Sequence, residues 1–304
     1  MALVMNHIIS AIVCLFLLAM ASQLVAVDDK KPKIINMERL NTAGNEDDPC
    51  PSADGLQLLY SSNQNGTMQL YLTTRKAAGE PLSGGTLIEE LSGEGECRSG
   101  FLLPKNKEGW EYLYFATQYH TDKKQPNLDI YRVGRFNPQR PFQGFNAASP
   151  VQAIASEADE AFPCVSADAR ELYFSRKTKD GWQLMRAVGS EPHIFDKVES
   201  MPMEVGFHHV VLSRTGLTLI LQGPLKKGEA RLGLFVCKRP KLTEPWSALK
   251  PLASINSEDG TIGTCSPGLS GDNRNLYFAS DRPGGKGGLD IYGVAVNEMD
   301  ELKK

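Results

Sequence analysis

The chain lacks most features that announce a particular chemistry. Its 304 residues contain no CxxC pair and no cysteine–histidine spacing of a zinc site, which excludes a structural zinc module. No serine stands in a nucleophile elbow, and no glycine-rich loop follows a strand and opens a helix. An excess of one charge is also missing. The 33 Lys and Arg against 36 Asp and Glu give a formal net charge of -3 with signs mixed along the chain, so DNA or RNA is excluded as a partner. Hydrophobic content is an ordinary 41%, and only one long apolar run occurs, at the N-terminus.

That run, Ile8 to Met20 (IISAIVCLFLLAM), is too short for a comfortable membrane span and is followed by small residues and the charged segment VDDKKPK. Residues 1–26 read as a signal peptide with cleavage after Ala21 or Ala26. No membrane span remains after cleavage, and the mature protein is expected in the periplasm or outside the cell. Five cysteines remain, Cys50, Cys97, Cys164, Cys237 and Cys265, an odd number that leaves at least one thiol unpaired in a monomer.

What the chain does have is internal repetition. The segment LYFASDRPGGKGGLDIY (Leu276 to Tyr292) recurs in degraded form as LLYSSNQNGTMQLY, LYFATQYHTDKKQPNLDIY, LYFSRKTKDGWQLM and LILQGPLKKGEARLGLF. The leucines that open these copies, Leu58, Leu113, Leu172, Leu219 and Leu276, are separated by 55, 59, 47 and 57 residues, enough for about four short strands each. Within a copy, Leu276 and Phe278 share one strand face while Tyr277 takes the other, as a period of two requires. A serine stands six residues before four of the leucines (Ser52, Ser166, Ser213, Ser270), and an aromatic (Phe142, Phe195, Trp246) is expected to open each fourth strand.

This pattern predicts an all-β protein: a single β-propeller over residues 34–297, of five blades with four antiparallel strands each, followed by a polar tail at 298–304. Six blades is the alternative count. IINMERL near the start supplies a spare strand, whereas the chain ends after a third one, so the N-terminal strand is expected to complete the last blade.

The LYFASDRPGGKGGLDIY copy and the runs DDPCPSADG and DEAFPCVSADA resemble the propeller repeats of the TolB-like group of bacterial extracytoplasmic proteins, which are related in architecture to WD-type repeats. The resemblance covers nearly the whole mature chain. It implies an exported bacterial protein that binds another protein or a cell-envelope polysaccharide, and it implies no cofactor.

Candidate binding residues follow from two features. Acidic residues recur just before the first strand of each copy, among them Asp48, Glu96, Asp159, Glu160, Glu204 and Asp259, and in a propeller these would gather at one mouth of the central channel. The same residues also suit a structural role, as acceptors for loop amides repeated from blade to blade. His208 and His209 replace the Ala161 and Phe162 of the third copy and form the sharpest departure from the repeat. On a regular strand they point to opposite faces, so joint ligation of one metal would need a bulge. No metal site and no catalytic residue is predicted. The favoured reading is therefore a monomeric, non-catalytic binding or scaffolding propeller with its ligand on the loop face. The alternative is a carbohydrate-active enzyme, a glycoside hydrolase or a lyase, that uses carboxylates at the mouth.

Overall fold

The computed structural model describes residues 31–77, 79–118, 127–137 and 140–303; the predicted signal peptide lies outside the described residues. The first strand, β1 (Ile35–Asn36), stands apart from the strands that follow it in sequence. Blade 1 consists of β2 (Glu46–Pro51), β3 (Gln57–Ser62), β4 (Gln69–Thr74) and β5 (Thr86–Leu87), and blade 2 of β6 (Cys97–Leu103), β7 (Trp110–Thr117), β8 (Asp129–Phe136) and β9 (Ser149–Pro150). Blade 3 is β10 (Glu160–Val165), β11 (Glu171–Thr178), β12 (Gly181–Val188) and β13 (Lys197–Ser200). Blade 4 is β14 (His208–Leu212), β15 (Thr218–Pro224), β16 (Leu232–Lys238) and β17 (Lys250–Pro251). Blade 5 has β18 (Thr264–Leu269), β19 (Asn275–Ser280) and β20 (Asp290–Ala295), and β1 supplies its outer strand. Among the described residues the strands form five four-stranded antiparallel sheets, which settles the count of five blades against six. No helix among the described residues is long and apolar enough to cross a membrane.

The closure uses few backbone pairs. Ile35 stands opposite Gly293 and Asn36 opposite Tyr292. The buried Asn41 then extends the ladder with its side chain: its Nδ2 donates to the Ile291 carbonyl at 3.0 Å, and its Oδ1 accepts the Ile291 N–H at 2.8 Å. A side-chain amide thus does the work of one more strand residue on an edge that would otherwise be open.

The alternation read from the repeat sets how the blades stack. Leu276 and Phe278 pack toward blade 4 with Ile220 and Leu234, whereas Tyr277 joins Leu58 and Tyr60 of blade 1. Leu113 and Phe115 face blade 1 in the same way, and Leu172 and Phe174 face blade 2. Each of these phenylalanines is fully buried, a burial worth roughly 1.5–3 kcal/mol apiece. At the axis the inner strands come closer still. A Cβ added at Gly268 would lie 1.8 Å from the Pro49 carbonyl oxygen, so only glycine allows β18 to approach β2 there.

The inner strands begin at what we call the upper mouth and end at the lower mouth. At the lower end of four blades, one turn is repeated: Ser52, Ser166, Ser213 and Ser270 each donate a backbone N–H to the carbonyl five residues on. Their hydroxyls accept the N–H of that same residue at 2.9, 2.9, 3.0 and 2.9 Å. Blade 2 replaces this turn with a longer hairpin over Pro104–Gly109.

Two expectations need correction. Phe142, Phe195 and Trp246 do not open the fourth strands; they lie in the loops before β9, β13 and β17. There they anchor the loops, with Arg135 4.3 Å over the Phe142 ring and Arg239 4.3 Å over Trp246. The expected polar tail also folds back: Met299 is fully buried beside Leu252 and Ile255, and Glu301 accepts hydrogen bonds from the Ser254 N–H and hydroxyl.

Candidate active site

Every inner strand slips register against its neighbour near the upper mouth: between Asp47 and Cys50, Arg98 and Phe101, Ala161 and Cys164, His208 and Val210, and Cys265 and Gly268. The slip is a β-bulge, and in each blade one residue of it adopts a left-handed backbone: Asp48 (φ 52°), Ser99 (54°), Phe162 (58°), His209 (46°) and Ser266 (52°). Five non-glycine residues in this region store on the order of 1 kcal/mol or more each. Neighbouring blades help to hold them. The Ser99 N–H donates to Ser61 Oγ at 3.0 Å, the His209 N–H to Ser175 Oγ at 3.1 Å, and the Ser266 N–H to Gln222 Oε1 at 2.7 Å, in each case from one blade to the preceding one.

The bulges form a ring of five side chains around the axis, of which Asp48 is the only acid. Its Oδ2 accepts from Ser61 Oγ at 2.8 Å and from both the N–H and the hydroxyl of Ser99 at 3.1 Å. The adjacent Asp47 binds Arg98 Nη2 at 2.9 Å, and the same nitrogen lies 3.4 Å from Asp48 Oδ2, so two carboxylates converge on one guanidinium from blade 2. Two contacts to a shared nitrogen keep those oxygens within about 6 Å of each other, a limit that admits the roughly 5 Å spacing of a double-displacement carboxyl pair. Glu96 approaches the far end of Arg98 at 3.9 Å, from the half-exposed rim.

On the remaining side of Asp48 stands His209. Asp48 Oδ1 and His209 Nδ1 face each other at 3.7 Å; both are buried, and neither makes a hydrogen bond among the described residues. Beside them the channel holds a cavity of about 60 Å³ lined by Asp48, Ser99, Phe162 and His209, room for about two waters and too small for a sugar ring. Any larger ligand has to sit above the ring, at the mouth. An aromatic wall flanks it there: the His209 ring stacks on Phe162 at 4.4 Å, Phe162 meets Trp182 edge-on at 5.3 Å, and Trp182 stacks on His208 at 5.8 Å.

Burial and charge separate the two carboxyls. Burial, reinforced by the charge of Asp48, pushes Asp47 up to about 6 against the opposing pull of Arg98. Asp48 is as deeply buried, but Arg98, His209 and the hydroxyls of Ser61 and Ser99 outweigh that burial and hold it below the ordinary carboxylate range. Burial drives His208 and His209 down to about 4, so both imidazoles are neutral at pH 7. His208 is satisfied on both ring nitrogens, by the Gly206 carbonyl and by Gln222 Nε2, each at 2.8 Å.

Among the eight residues singled out from sequence, Asp48 and His209 meet at the axis, His208 stands behind them, and Glu96 is at the rim. The other four do not join the site. Glu160 is fully buried and accepts from Ser156 and from Arg176 Nε at 2.8 Å, and Asp159 caps the Leu128 N–H at 2.9 Å, so both hold loops and blades together. Glu204 and Asp259 are exposed in the loops before β14 and β18. These acids all precede a first strand but stand at different distances from the repeat leucine: Asp48 ten residues before it, Glu160 twelve, Glu204 fifteen and Asp259 seventeen, and only the ten-residue position falls on the bulge. Sequence reasoning missed Arg98, Phe162, Trp182 and Gln222. A usable signal exists: counting ten residues back from the repeat leucine lands on Asp48, Phe162, His209 and Ser266, and only blade 2, with its longer hairpin, escapes the count.

The class of protein is a five-bladed β-propeller with a polar cluster of two aspartates, an arginine and a histidine at one mouth. No protein-family profile and no curated protein matches the sequence. Among solved structures, a family 62 glycoside hydrolase bound to xylotriose aligns with a TM-score of 0.59 at 9% identity, over 84% of this chain and 92% of the other. A family 43 β-xylosidase/α-arabinofuranosidase from a compost microbial metagenome aligns with a TM-score of 0.57 at 13% identity, over 87% and 94%. An α-L-arabinofuranosidase of Podospora anserina gives 0.55 at 11%, over 84% and 91%. At these identities the likeness establishes the fold, and nothing in it selects the TolB-like group. It does overturn the reading of a non-catalytic binding or scaffolding module. These three structures, which share the fold over most of their length, are glycoside hydrolases, in line with the carbohydrate-active alternative.

Proposed function

We propose that the chain is a carbohydrate-active enzyme that cleaves a glycosidic bond at the upper mouth, with Asp48 as the ionised carboxylate and Asp47 as the proton donor. The observation that carries this reading is the split of one carboxyl pair on a single guanidinium, Asp47 raised to about 6 and Asp48 lowered. Glycoside cleavage needs one carboxyl that keeps its proton and one that does not, set apart by their surroundings. Arg98 holds the pair in place, and the unpaired Asp48 Oδ1 adjoins a cavity of water size. The signal-like N-terminus fits an exported enzyme that meets polysaccharide in the periplasm or outside the cell.

The matched structures make arabinan, arabinoxylan and xylan the first polymers to try, alongside bacterial envelope polysaccharide. The test is release of reducing sugar by the purified mature protein, together with hydrolysis of 4-nitrophenyl arabinofuranoside and xyloside. Activity is expected to fall as pH rises above about 6, where Asp47 loses its proton. Asp47→Asn is expected to lose most activity on the polymers and less on the aryl glycosides, whose leaving group needs little protonation. Absence of turnover on every substrate, or full activity in Asp48→Asn, sinks the proposal.

A further inference from the structure

At the opposite end of the axis, some of the same departures from the repeat build a second cavity. It measures about 500 Å³, within the range of small-molecule sites, and opens at the lower mouth. Its floor is apolar, formed by inner-strand ends such as Leu103, Val165, Leu212 and Leu269. Its rim is cationic. The blade 2 hairpin that replaces the serine turn carries Lys105 and Lys107, and Arg214 stands on the blade 4 turn. All three are exposed, and none makes a salt bridge among the described residues. The same rim carries two acids, Glu108 and Asp168, the second held by the Ser166 hydroxyl at 2.6 Å and the Arg170 N–H at 3.2 Å, so three cations face two carboxylates.

The wall of this cavity holds a fixed histidine. His193 reaches it at a left-handed φ of 65°, with its N–H on the Ala169 carbonyl at 2.8 Å and its own carbonyl on Arg132 Nη1 at 3.3 Å. The His193 ring lies 4.5 Å from that of Tyr112, and its Nδ1 is 2.7 Å from the Tyr114 hydroxyl. With the Tyr114 phenol donating to Nδ1, the imidazole proton is assigned to Nε2. Nε2 makes no hydrogen bond among the described residues, and the ring lines the cavity, so the site presents a neutral N–H donor below a ring of cations.

We propose that the lower mouth is a second ligand site, for a small anion with an apolar or ring-shaped body: a carboxylate- or phosphate-bearing molecule whose charged head meets Lys105, Lys107, Arg214 and the His193 Nε2–H while its body lies on the apolar floor. The proposal is independent of the chemistry assigned to the upper mouth, which lies at the other end of the inner strands.

The experiment is an NMR titration of the full mature protein with benzoate, phenyl phosphate and benzyl alcohol, three probes with one body and different heads. Both anions, or one of them, are expected to shift the His193 and Tyr112 resonances saturably while benzyl alcohol does not; the tighter of the two anions names the preferred head group. Lys105→Glu combined with Lys107→Glu, on an exposed hairpin, is expected to raise Kd by at least about tenfold, and so is a rise from about 0.01 to 1 M salt. Asp48→Asn is expected to leave the titration unchanged. Saturable shifts that survive the charge reversal, equal shifts from benzyl alcohol, or no shift from either anion would overturn the assignment.

Discussion

The two mouths of the channel are built by opposite rules. At the lower mouth the same serine closes the same turn in four of five blades, with hydroxyl-to-amide distances that agree within 0.1 Å. At the upper mouth the backbone is equally regular, with five bulges and five left-handed residues, yet the side chains there are Asp48, Ser99, Phe162, His209 and Ser266, four different types. A repeated backbone that presents unlike side chains to one point is a scaffold for a site, whereas a repeated side chain is part of the scaffold itself. Blade 2 keeps the bulge but lacks the serine turn. It contributes Arg98 to the upper cluster and the lysine hairpin to the lower rim.

The largest expected effect tests that division directly. Asp48→Asn is expected to lower kcat by roughly 10²–10⁴-fold with the fold intact, while Ser166→Ala at the other mouth leaves kcat unchanged; circular dichroism and steady-state kinetics separate the two outcomes. Equal losses in both variants would mean that the mouths are not functionally distinct.

Arg98→Met removes the cation that two buried carboxyls share. An uncompensated buried charge costs about 3–5 kcal/mol, so a large drop in urea midpoint is expected at pH 7. The drop should be smaller at pH 5, because Asp47, raised to about 6, then carries its proton and needs no partner. A pH-independent drop would remove Asp47 from the charge cluster.

The upper mouth is also expected to contribute to the acid stability of the fold, alongside His193 at the lower mouth, which burial likewise holds down to about 4. His208 and His209 titrate near 4 in the folded chain and near 6.5 when unfolded, so their contribution is fully present above 6.5 and is lost as pH falls from 6.5 to 4. Replacing both by Gln is expected to flatten that limb of the Tm-against-pH curve. Asp47 acts in the opposite sense: its raised value means that stability is lost as pH rises from about 4 to 6, and Asp47→Asn removes that slope. A histidine variant with an unchanged acid limb would place the pH dependence elsewhere.

The smallest effects belong to the lower mouth. Ser166→Ala and Ser270→Ala should each cost about 1 kcal/mol, the worth of the side-chain hydrogen bonds lost, and the two should add because the turns lie in different blades and share no partner. Clear non-additivity in equilibrium unfolding would show that the turns are coupled around the ring.

How much of this was readable in advance depends on where the information lies. The five copies, the two-residue alternation and the missing last strand determined the blade count, the face each residue buries and the N-terminal closure. These are local patterns, and antiparallel hairpins are made from neighbours in sequence. The candidate site was legible only in part. Asp48 and His209 stand out as departures from the repeat, but Arg98 does not, because it becomes important only through contacts fifty and fifty-one residues back in the chain.

The sequence by itself determined a five-fold array of four-stranded sheets and named the positions where the copies disagree. Only the tertiary structure decided which of those positions meet. A β-bulge shifts each inner strand by one residue, which turns a side chain that would face a neighbouring blade toward the axis, and ring closure then sets blade 1 against both blade 2 and blade 4 at a single point. That is why Asp47 and Asp48, adjacent in the chain, end with different affinities for a proton: their surroundings come from four blades, and no short stretch of sequence contains them all.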